Sequence, residues 1–230
     1  MEKFKLDVDK FIKLLKDFEV QENVFNPWKD YDKSYDINEK APEIRRKNLN
    51  KFLLDRKDAK CILIAEAPGY QGCHFSGIPM TSERLIITNA YNAFSGMERS
   101  SCKEKLKKRA KTVQEDGFCE PTATIIWKQM IEELKLNSNN FVLWNAFAFH
   151  PYKDSKNILT NRKPTKGEIK ANIDILKELI RLFPNAKIIS VGNVSDKCLE
   201  ENDITNRKKV RHPSYGGAKD FREGITKILK

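Results

Sequence analysis

Short, largely apolar runs mark the candidate buried strands of this chain. Three runs of this kind stand out, at residues 61–65, 141–145 and 187–192. Short apolar runs bounded by turn residues are typical of strands that are covered on both faces of a sheet. A shorter basic run at residues 208–211 is a fourth candidate strand. The pattern therefore predicts a sheet of four short strands.

Apolar residues recur at helical spacing between these strands. The spacing predicts helices at residues 83–94, 121–136, 165–183 and 218–230. The third begins with Thr165 and Glu168, which form a capping-box pattern after a proline. Strands that alternate with helices favour a mainly parallel sheet covered on both faces. We therefore predict an α/β fold, a three-layer α/β/α sandwich with a short, mainly parallel four-stranded sheet.

The amino-terminal part precedes this alternation. An apolar stripe at residues 4–18 and a second at 43–54 predict two helices, with a proline-punctuated loop at 26–42 between them. A chain of 230 residues is long enough for one sizeable α/β domain. We expect a single domain over residues 1–230, with residues 1–55 as a helical amino-terminal extension packed on it.

Each candidate strand ends in a polar or glycine-rich signal. The first runs into Glu66 and a Pro-Gly turn, and the second ends at Asn145. The third ends at Gly192, and the fourth leads into His-Pro-Ser at residues 212–214. The carboxyl ends of parallel strands meet at one edge of a sheet, where α/β proteins build their binding sites. These side chains are therefore candidates for one common site.

Taken in order, these motifs resemble the uracil-DNA glycosylase superfamily. The matching segments are Glu-Ala-Pro-Gly at 66–69, Trp-Asn at 144–145, Asn-Arg-Lys-Pro-Thr at 161–165 and His-Pro-Ser at 212–214. The resemblance spans roughly residues 60–230. It implies the fold of that superfamily and a monofunctional DNA glycosylase in DNA repair. Such an enzyme hydrolyses the N-glycosidic bond of uracil or another deaminated base in DNA.

The resemblance implies roles for three catalytic candidates. Asn145 offers a donor and an acceptor side by side, which matches the O4/N3–H edge of uracil. His212 is a candidate for donating a hydrogen bond to the departing base anion. Glu66 activates water, holds its loop or offsets sugar charge, and these alternatives stay open. The implied substrate-binding residues are Ala67, Pro68, Gly69, Tyr70, Phe75, Met80, Ser214 and Tyr215.

Two positions depart from the family pattern. Ala67 stands where a well-known branch has a water-activating Asp, and Met80 stands where the family has a Phe that stacks on the base. A thioether can pack on a flat base, and Phe75 or Phe147 is an alternative aromatic face. Tyr70 and Gln71 would lie near C5 of the base. Ser214 and Tyr215 would form the loop that enters the duplex.

Two further residues have alternative interpretations. His150 precedes a proline, and we favour a structural turn over a second pocket residue. Arg162 either binds phosphate or anchors its loop.

The net charge leaves two interpretations open. The chain has 43 basic and 32 acidic residues, which gives +11. A basic surface suits a nucleic-acid binder, but lysine-rich surfaces also occur without that role. The basic segment at residues 99–111 is similarly either a solvated insertion or an arm that contacts phosphates.

Cysteine usage and hydropathy narrow the class of protein. The five cysteines include no Cys-x-x-Cys pair, so we expect no zinc site, disulfide framework or iron–sulfur cluster, and no metal or cofactor. We find no signal-peptide pattern and no apolar run of about 18 residues. We therefore expect a cytoplasmic, monomeric protein whose partner is DNA containing a damaged base, with no membrane association.

Two other functions remain as alternatives. Ala67 and Met80 favour a catalytically weak or inactive nucleic-acid-binding protein of the same fold. A basic α/β hydrolase or nucleotide-binding enzyme with a fortuitous resemblance is the third, although no phosphate-loop signature supports it. The preferred base and the preference for single or double strands stay open.

Overall fold

The computed structural model describes residues 2–109 and 116–230. In these residues the strands are β1 (Val24–Phe25), β2 (Cys61–Ala65), β3 (Phe141–Asn145), β4 (His150–Pro151), β5 (Lys187–Val191) and β6 (Arg207–Val210). The main sheet has the order β3-β2-β5-β6, and all its neighbouring strands are parallel. A separate antiparallel pair joins β1 to β4.

Helices precede the first strand, connect the strands and follow the last one. They are α1 (Glu2–Asp17), α2 (Ala41–Leu54), α3 (Cys73–Ser76), α4 (Glu83–Ile87), α5 (Lys103–Arg109), α6 (Pro121–Lys128), α7 (Lys166–Ala171), α8 (Ile173–Leu182), α9 (Asn193–Glu200) and α10 (Ala218–Leu229). A π-helical turn, Gln129–Glu133, extends α6. Every residue of β2 and β3 is buried, because other segments of the protein pack on both faces of the sheet there. The predicted α/β fold with a parallel four-stranded sheet is confirmed.

The amino-terminal segment contributes to the main core. Helix α1 buries Val8, Phe11, Ile12 and Leu15 and packs against α2 and α8. The Phe11 ring lies 5.3 Å from that of Trp144 in β3, and the Trp28 ring stacks on Trp144 at 5.7 Å. Large aromatic rings contribute much of the apolar area that a core buries. The segment that precedes the sheet is therefore part of the packing behind β3.

One predicted helix is interrupted and another is shorter than its apolar pattern indicated. The continuous helix expected at 165–183 breaks at Asn172, whose Oδ1 accepts from the Ala148 N–H at 2.9 Å. This tertiary hydrogen bond outweighs local helical preference at one residue. The helix expected at 83–94 ends at Ile87, because Asn89 and Tyr91 adopt left-handed backbone angles.

Other local predictions hold. The Thr165 and Glu168 capping box is formed, and the final helix closes the chain as expected. Part of the basic segment predicted at 99–111 lies outside the described residues, so its role stays a prediction. In the part of the chain that the structure describes, no helix combines the length and apolar character needed to cross a membrane.

Candidate active site

The polar strand ends meet around one cavity of about 470 Å³. Ala65 at the end of β2 is in register with Asn145 at the end of β3, so Glu66 follows directly beside Asn145. The loop after β6 brings in His212 from the other side of the sheet. The predicted residues that line the cavity are Glu66, Ala67, Pro68, Gly69, Met80, Asn145, His212, Ser214 and Tyr215.

Asn145 lies at the floor of the cavity with its amide unpaired. Its side chain is 1% exposed, and neither Oδ1 nor Nδ2 has a hydrogen-bond partner within the described residues. A buried amide without partners costs about 1 to 3 kcal/mol, so such groups are uncommon in folded proteins. The unpaired donor and acceptor are therefore available to a ligand that presents the complementary pair.

The hydrogen bonds around His212 fix its tautomer. The backbone N–H of Ser214 donates to Nδ1 at 3.1 Å, and the Ser214 hydroxyl lies 2.7 Å from the same nitrogen. An N–H can only donate, so Nδ1 accepts and the ring proton sits on Nε2. Burial, aided by Arg211, lowers the pKa of His212 and favours the neutral ring. His212 is thus a neutral Nε2–H donor in the cavity wall.

A close approach of backbone holds this loop. A Cβ on Gly217 would lie 2.1 Å from the His212 carbonyl oxygen, so the turn closes only over a glycine. Within the turn, Tyr215 has a left-handed φ of 51° and a side chain that is 97% exposed. The exposed ring projects from the rim of the cavity.

Glu66 is a half-buried carboxyl group on the cavity wall. Burial raises its pKa, and the positive charge of Lys163 partly opposes that shift. Its backbone carbonyl accepts from the Phe147 N–H at 3.0 Å, which ties the start of the loop to the segment after β3. The methyl group of Ala67 beside it supplies no acid or base.

A second carboxyl group, that of Glu120, also lines the cavity. Glu120 immediately precedes α6, and its Oε2 is buried with no hydrogen-bond partner in the described residues. Burial raises the pKa of Glu120 to about 7. A Cβ on Gly72 would lie 2.3 Å from this Oε2, so the carboxyl packs directly against the glycine. Sequence reasoning missed Glu120, because nothing local shows that α6 begins beside residues 66–72.

Basic side chains form one side of the cavity. Lys153 and Lys163 lie on its wall together with Arg162. The Arg162 guanidinium is paired with Glu168 at 2.6 Å and also donates to the Tyr152 carbonyl at 3.0 Å. Of the two roles considered for Arg162, the structure shows the loop anchor. The two lysines place positive charge at the cavity.

Two predicted substrate-binding residues lie away from the cavity wall. The Phe75 ring is buried in a separate cluster with Leu106, Phe118 and Leu159, and it stacks on Phe118 at 5.7 Å. Tyr70 packs edge-on against Phe118 at 5.4 Å. The alternative ring, Phe147, packs edge-on against Phe149 in the core. Met80, with a φ of 49°, presents the apolar surface at the cavity instead.

Cysteines and potential metal ligands show no shared arrangement. All five cysteines are free, and Cys61, Cys73 and Cys198 are buried. Burial raises the pKa of each of these three thiols. Within residues 2–109 and 116–230, no group of three His, Cys, Asp or Glu side chains is placed to hold a metal ion.

Comparisons with known proteins agree with this geometry. The crystal structure of wild-type Pedobacter heparinus SMUG2 matches the chain with a TM-score of 0.60, over 97% of this chain and 95% of that one. The two sequences are 17% identical, so this match shows likeness of fold alone. Among curated proteins, no sequence matches. The family model for the Uracil DNA glycosylase superfamily matches residues 53–228, which include all the strand ends that form the cavity. The chain belongs to the uracil-DNA glycosylase superfamily.

Proposed function

We propose that this protein is a DNA glycosylase that hydrolyses the N-glycosidic bond of uracil or another deaminated base in DNA. The observation that supports it best is the unpaired amide of Asn145 at the floor of the cavity. Deamination replaces an exocyclic amine by a carbonyl, so the base gains an acceptor next to a ring N–H. An amide can pair with both groups at once.

His212 supplies the second part of the proposed mechanism. Breaking the bond between C1′ and the base nitrogen leaves negative charge on the base and positive charge on the sugar. A preorganised N–H aimed at the developing anion lowers the barrier, because it needs no reorganisation during the reaction. The neutral Nε2–H of His212 is such a donor, and its tautomer is already fixed by Ser214.

Water activation falls to the two carboxyl groups of the cavity. Glu66 and Glu120 are the acidic side chains among its lining residues, and the pKa of each is raised by burial. A carboxyl with a pKa near the working pH makes an efficient general base. Glu66→Gln and Glu120→Gln are compared at saturating DNA. Water activation is assigned to the glutamate whose replacement causes the larger loss in single-turnover rate.

DNA binding is proposed to use the basic wall and the exposed ring. Lys153 and Lys163 line the cavity, and their positive charges would contact phosphates next to an extruded nucleotide. Phosphate contacts supply a large share of the affinity of such complexes. A base must leave the stack to reach a cavity of this kind. Tyr215, at the rim, is placed to occupy the space that the base vacates.

The test is cleavage of defined oligonucleotides. Single- and double-stranded substrates with one uracil, hypoxanthine or xanthine are incubated with the protein, and abasic sites are then cleaved with alkali. We expect strand cleavage at the modified base only, and no product with the unmodified control. Borohydride trapping should give no covalent adduct, because no lysine nucleophile is proposed. Binding without product on every substrate would refute the glycosylase and favour the binding-only alternative that Ala67 suggests.

A further inference from the structure

Two of the three histidines of the chain form a buried contact outside the cavity. His74 and His150 are both completely buried, and their Nδ1 atoms are 2.9 Å apart. At the other end of His150, Nε2 lies 2.9 Å from the Thr160 carbonyl oxygen and 3.2 Å from Asn161 Oδ1. At the other end of His74, Nε2 lies 3.4 Å from Asp32 Oδ2. The four contacts form one chain from Asp32 to Asn161.

The acceptor at one end dictates the donors along the chain. A carbonyl oxygen only accepts, so His150 carries a proton on Nε2. Its Nδ1 is then bare in the neutral ring, and the 2.9 Å contact requires His74 to donate from Nδ1. The neutral His74 ring therefore has a bare Nε2, which faces the carboxyl group of Asp32.

Without a proton between them, the lone pairs of His74 Nε2 and Asp32 Oδ2 would repel each other. Neither His74 Nε2 nor Asp32 Oδ2 has a hydrogen-bond partner within the described residues. Asp32 Oδ1, by contrast, accepts from the Ser34 N–H at 2.9 Å. A proton between Nε2 and Oδ2 removes the repulsion and gives both atoms a partner. Each of the three contacts of Asp32, His74 and His150 then holds one proton, and the triad is neutral overall.

This row of contacts from Asp32 to Asn161 ends at the cavity. Asn161 lines the cavity wall, and its Oδ1 also accepts from the Tyr70 N–H at 3.0 Å. Its Nδ2 lies so close to Gly69 that a Cβ there would come within 3.3 Å. Gly69 belongs to the loop that begins at Glu66. The orientation of the Asn161 amide thus links the buried triad to the backbone of that loop.

We propose that His74 and His150 are positioning residues, which hold the loop at Gly69 and Tyr70 through Asn161 and which keep a third proton between His74 and Asp32 at neutral pH. The proposal rests on the proposed function only for its effect on catalysis. The proton count and the loop contact are properties of the folded protein alone.

The charges around the triad locate this proton. Burial raises the pKa of Asp32, while Arg45 and Lys105 partly oppose the shift. Burial also lowers the pKa of His74 well below its usual value, and Arg45 lowers it further. The pKa of His150 is lowered to about 3 by burial and by His74, against the hydrogen bonds to Thr160 and Asn161 and with Arg162 nearby. Asp36 donates no proton here, since it is paired with Arg45. Both shifts favour the Asp32 carboxyl over the His74 ring as the site of the third proton.

Imidazole nitrogen NMR on the wild-type protein tests the histidine tautomers from which the third proton is inferred. The chain has three histidines, so the two-bond nitrogen–proton spectrum contains three rings. We expect Nε2–H tautomers for His150 and His212, and the opposite Nδ1–H tautomer for His74 at pH 7. A doubly protonated His74 would also support the triad and would place the third proton on that ring. A bare Nδ1 on both His74 and His150 would overturn the proposal.

Amide exchange tests the positioning role. The His74→Phe variant keeps a ring to stack on Phe25, whose centroid is 4.0 Å away, but removes the donor to His150. We expect its Tyr70 amide to lose at least about tenfold in protection, while the Ala146 amide, bonded to the Ala65 carbonyl at 2.8 Å, stays protected as an internal control. Unchanged Tyr70 protection in the folded variant would remove the triad from loop positioning.

Asp32→Asn is the matched conservative variant. An asparagine amide can donate permanently to His74 Nε2 and still accept from Ser34, so it replaces the protonated acid. We expect wild-type protection at Tyr70 and a wild-type cleavage rate near neutral pH. At alkaline pH the wild type should lose Tyr70 protection, and the Asn variant should keep it. Equal loss in both proteins would contradict a titrating third proton, whether or not His74→Phe folds. The tautomer and amide-exchange readouts need no catalysis, so they separate this proposal from the glycosylase activity.

Discussion

Replacing Asn145 by alanine should stabilise the protein while it damages the activity. The amide is 1% exposed and has no partner for either polar atom within the described residues. Burying an unpaired amide costs about 1 to 3 kcal/mol in protein mutational data. Alanine removes the amide and little apolar surface, so we expect the free energy of unfolding to rise by about that amount. For a chain of this size this corresponds to about 2 to 12 °C in Tm.

Asn48 provides the matched control. It is also buried, but its Nδ2 donates to the carbonyls of Ser76 and Glu98, at 3.1 and 2.8 Å. Its Oδ1 accepts from the Glu98 N–H at 2.9 Å. Asn48→Ala removes these hydrogen bonds and leaves the carbonyl of the buried Ser76 without this donor, so it should lower the free energy of unfolding by about 2 to 4 kcal/mol.

Urea unfolding and single-turnover cleavage on the same preparations give the comparison. For Asn145→Ala we expect a higher unfolding midpoint, an unchanged m-value, a slower cleavage step and weaker discrimination between uracil and cytosine. A loss of stability as large as that of Asn48→Ala would show that the Asn145 amide is satisfied in the folded protein. In that case the Asn145 amide would not be held open for a base.

Three further predictions concern His212, Glu120 and Arg56. His212→Ala should slow single-turnover cleavage by roughly 10²-fold, the scale of one lost donor to developing charge, with little change in the affinity for uncleaved DNA measured by titration. Burial raises the pKa of Glu120 to about 7, so the folded protein holds a proton on this carboxyl more tightly than the unfolded chain does. The protonated carboxyl therefore adds its full stabilisation at a pH below the pKa of the unfolded chain, and this stabilisation is lost as the pH rises through 7. Glu120→Gln should remove this part of the pH dependence, so that thermal melts of variant and wild type diverge by about 3 kcal/mol between pH 4.5 and 7.5. Arg56 is fully buried against the Phe52 ring with Nε and Nη2 unpaired among the described residues, and burial lowers its pKa to about 9. Arg56→Met should therefore raise the free energy of unfolding by about 1 to 4 kcal/mol in urea titrations, and a loss of stability would show that the ring contact outweighs the buried charge.

The strands and the convergence of their polar ends could be predicted from local pattern. Continuous apolar runs identify β2 and β3, and the geometry of parallel strands brings Asn145 beside Glu66. His212 follows from the same argument, because β6 lies in the same sheet. These inferences need only the direction of each strand and its position in the sheet.

The rest depends on contacts between distant parts of the chain. Glu120 reaches the cavity because α6 begins against Gly72, and no local pattern encodes that approach. An aromatic ring such as Phe75 suits a core and a stacking surface equally, so its type cannot tell which it joins. The helix break at Asn172 arises from a hydrogen bond to Ala148, which helical periodicity does not contain.

The position of His212 in the cavity depends on β6, which lies at the edge of the main sheet. Among the described strands it pairs with β5 alone, and of its four residues only Val210 is buried. Two of its residues, Arg207 and Lys209, form ion pairs with Asp196 in α9, at 2.8 and 3.2 Å. Such a strand can separate locally at a free energy well below that of global unfolding, and dissolved salt weakens partly exposed ion pairs. The loop that holds His212 would then detach while the core at Trp144 remains intact. Heat should therefore abolish cleavage before it melts the protein, and added salt should widen the interval between the two temperatures.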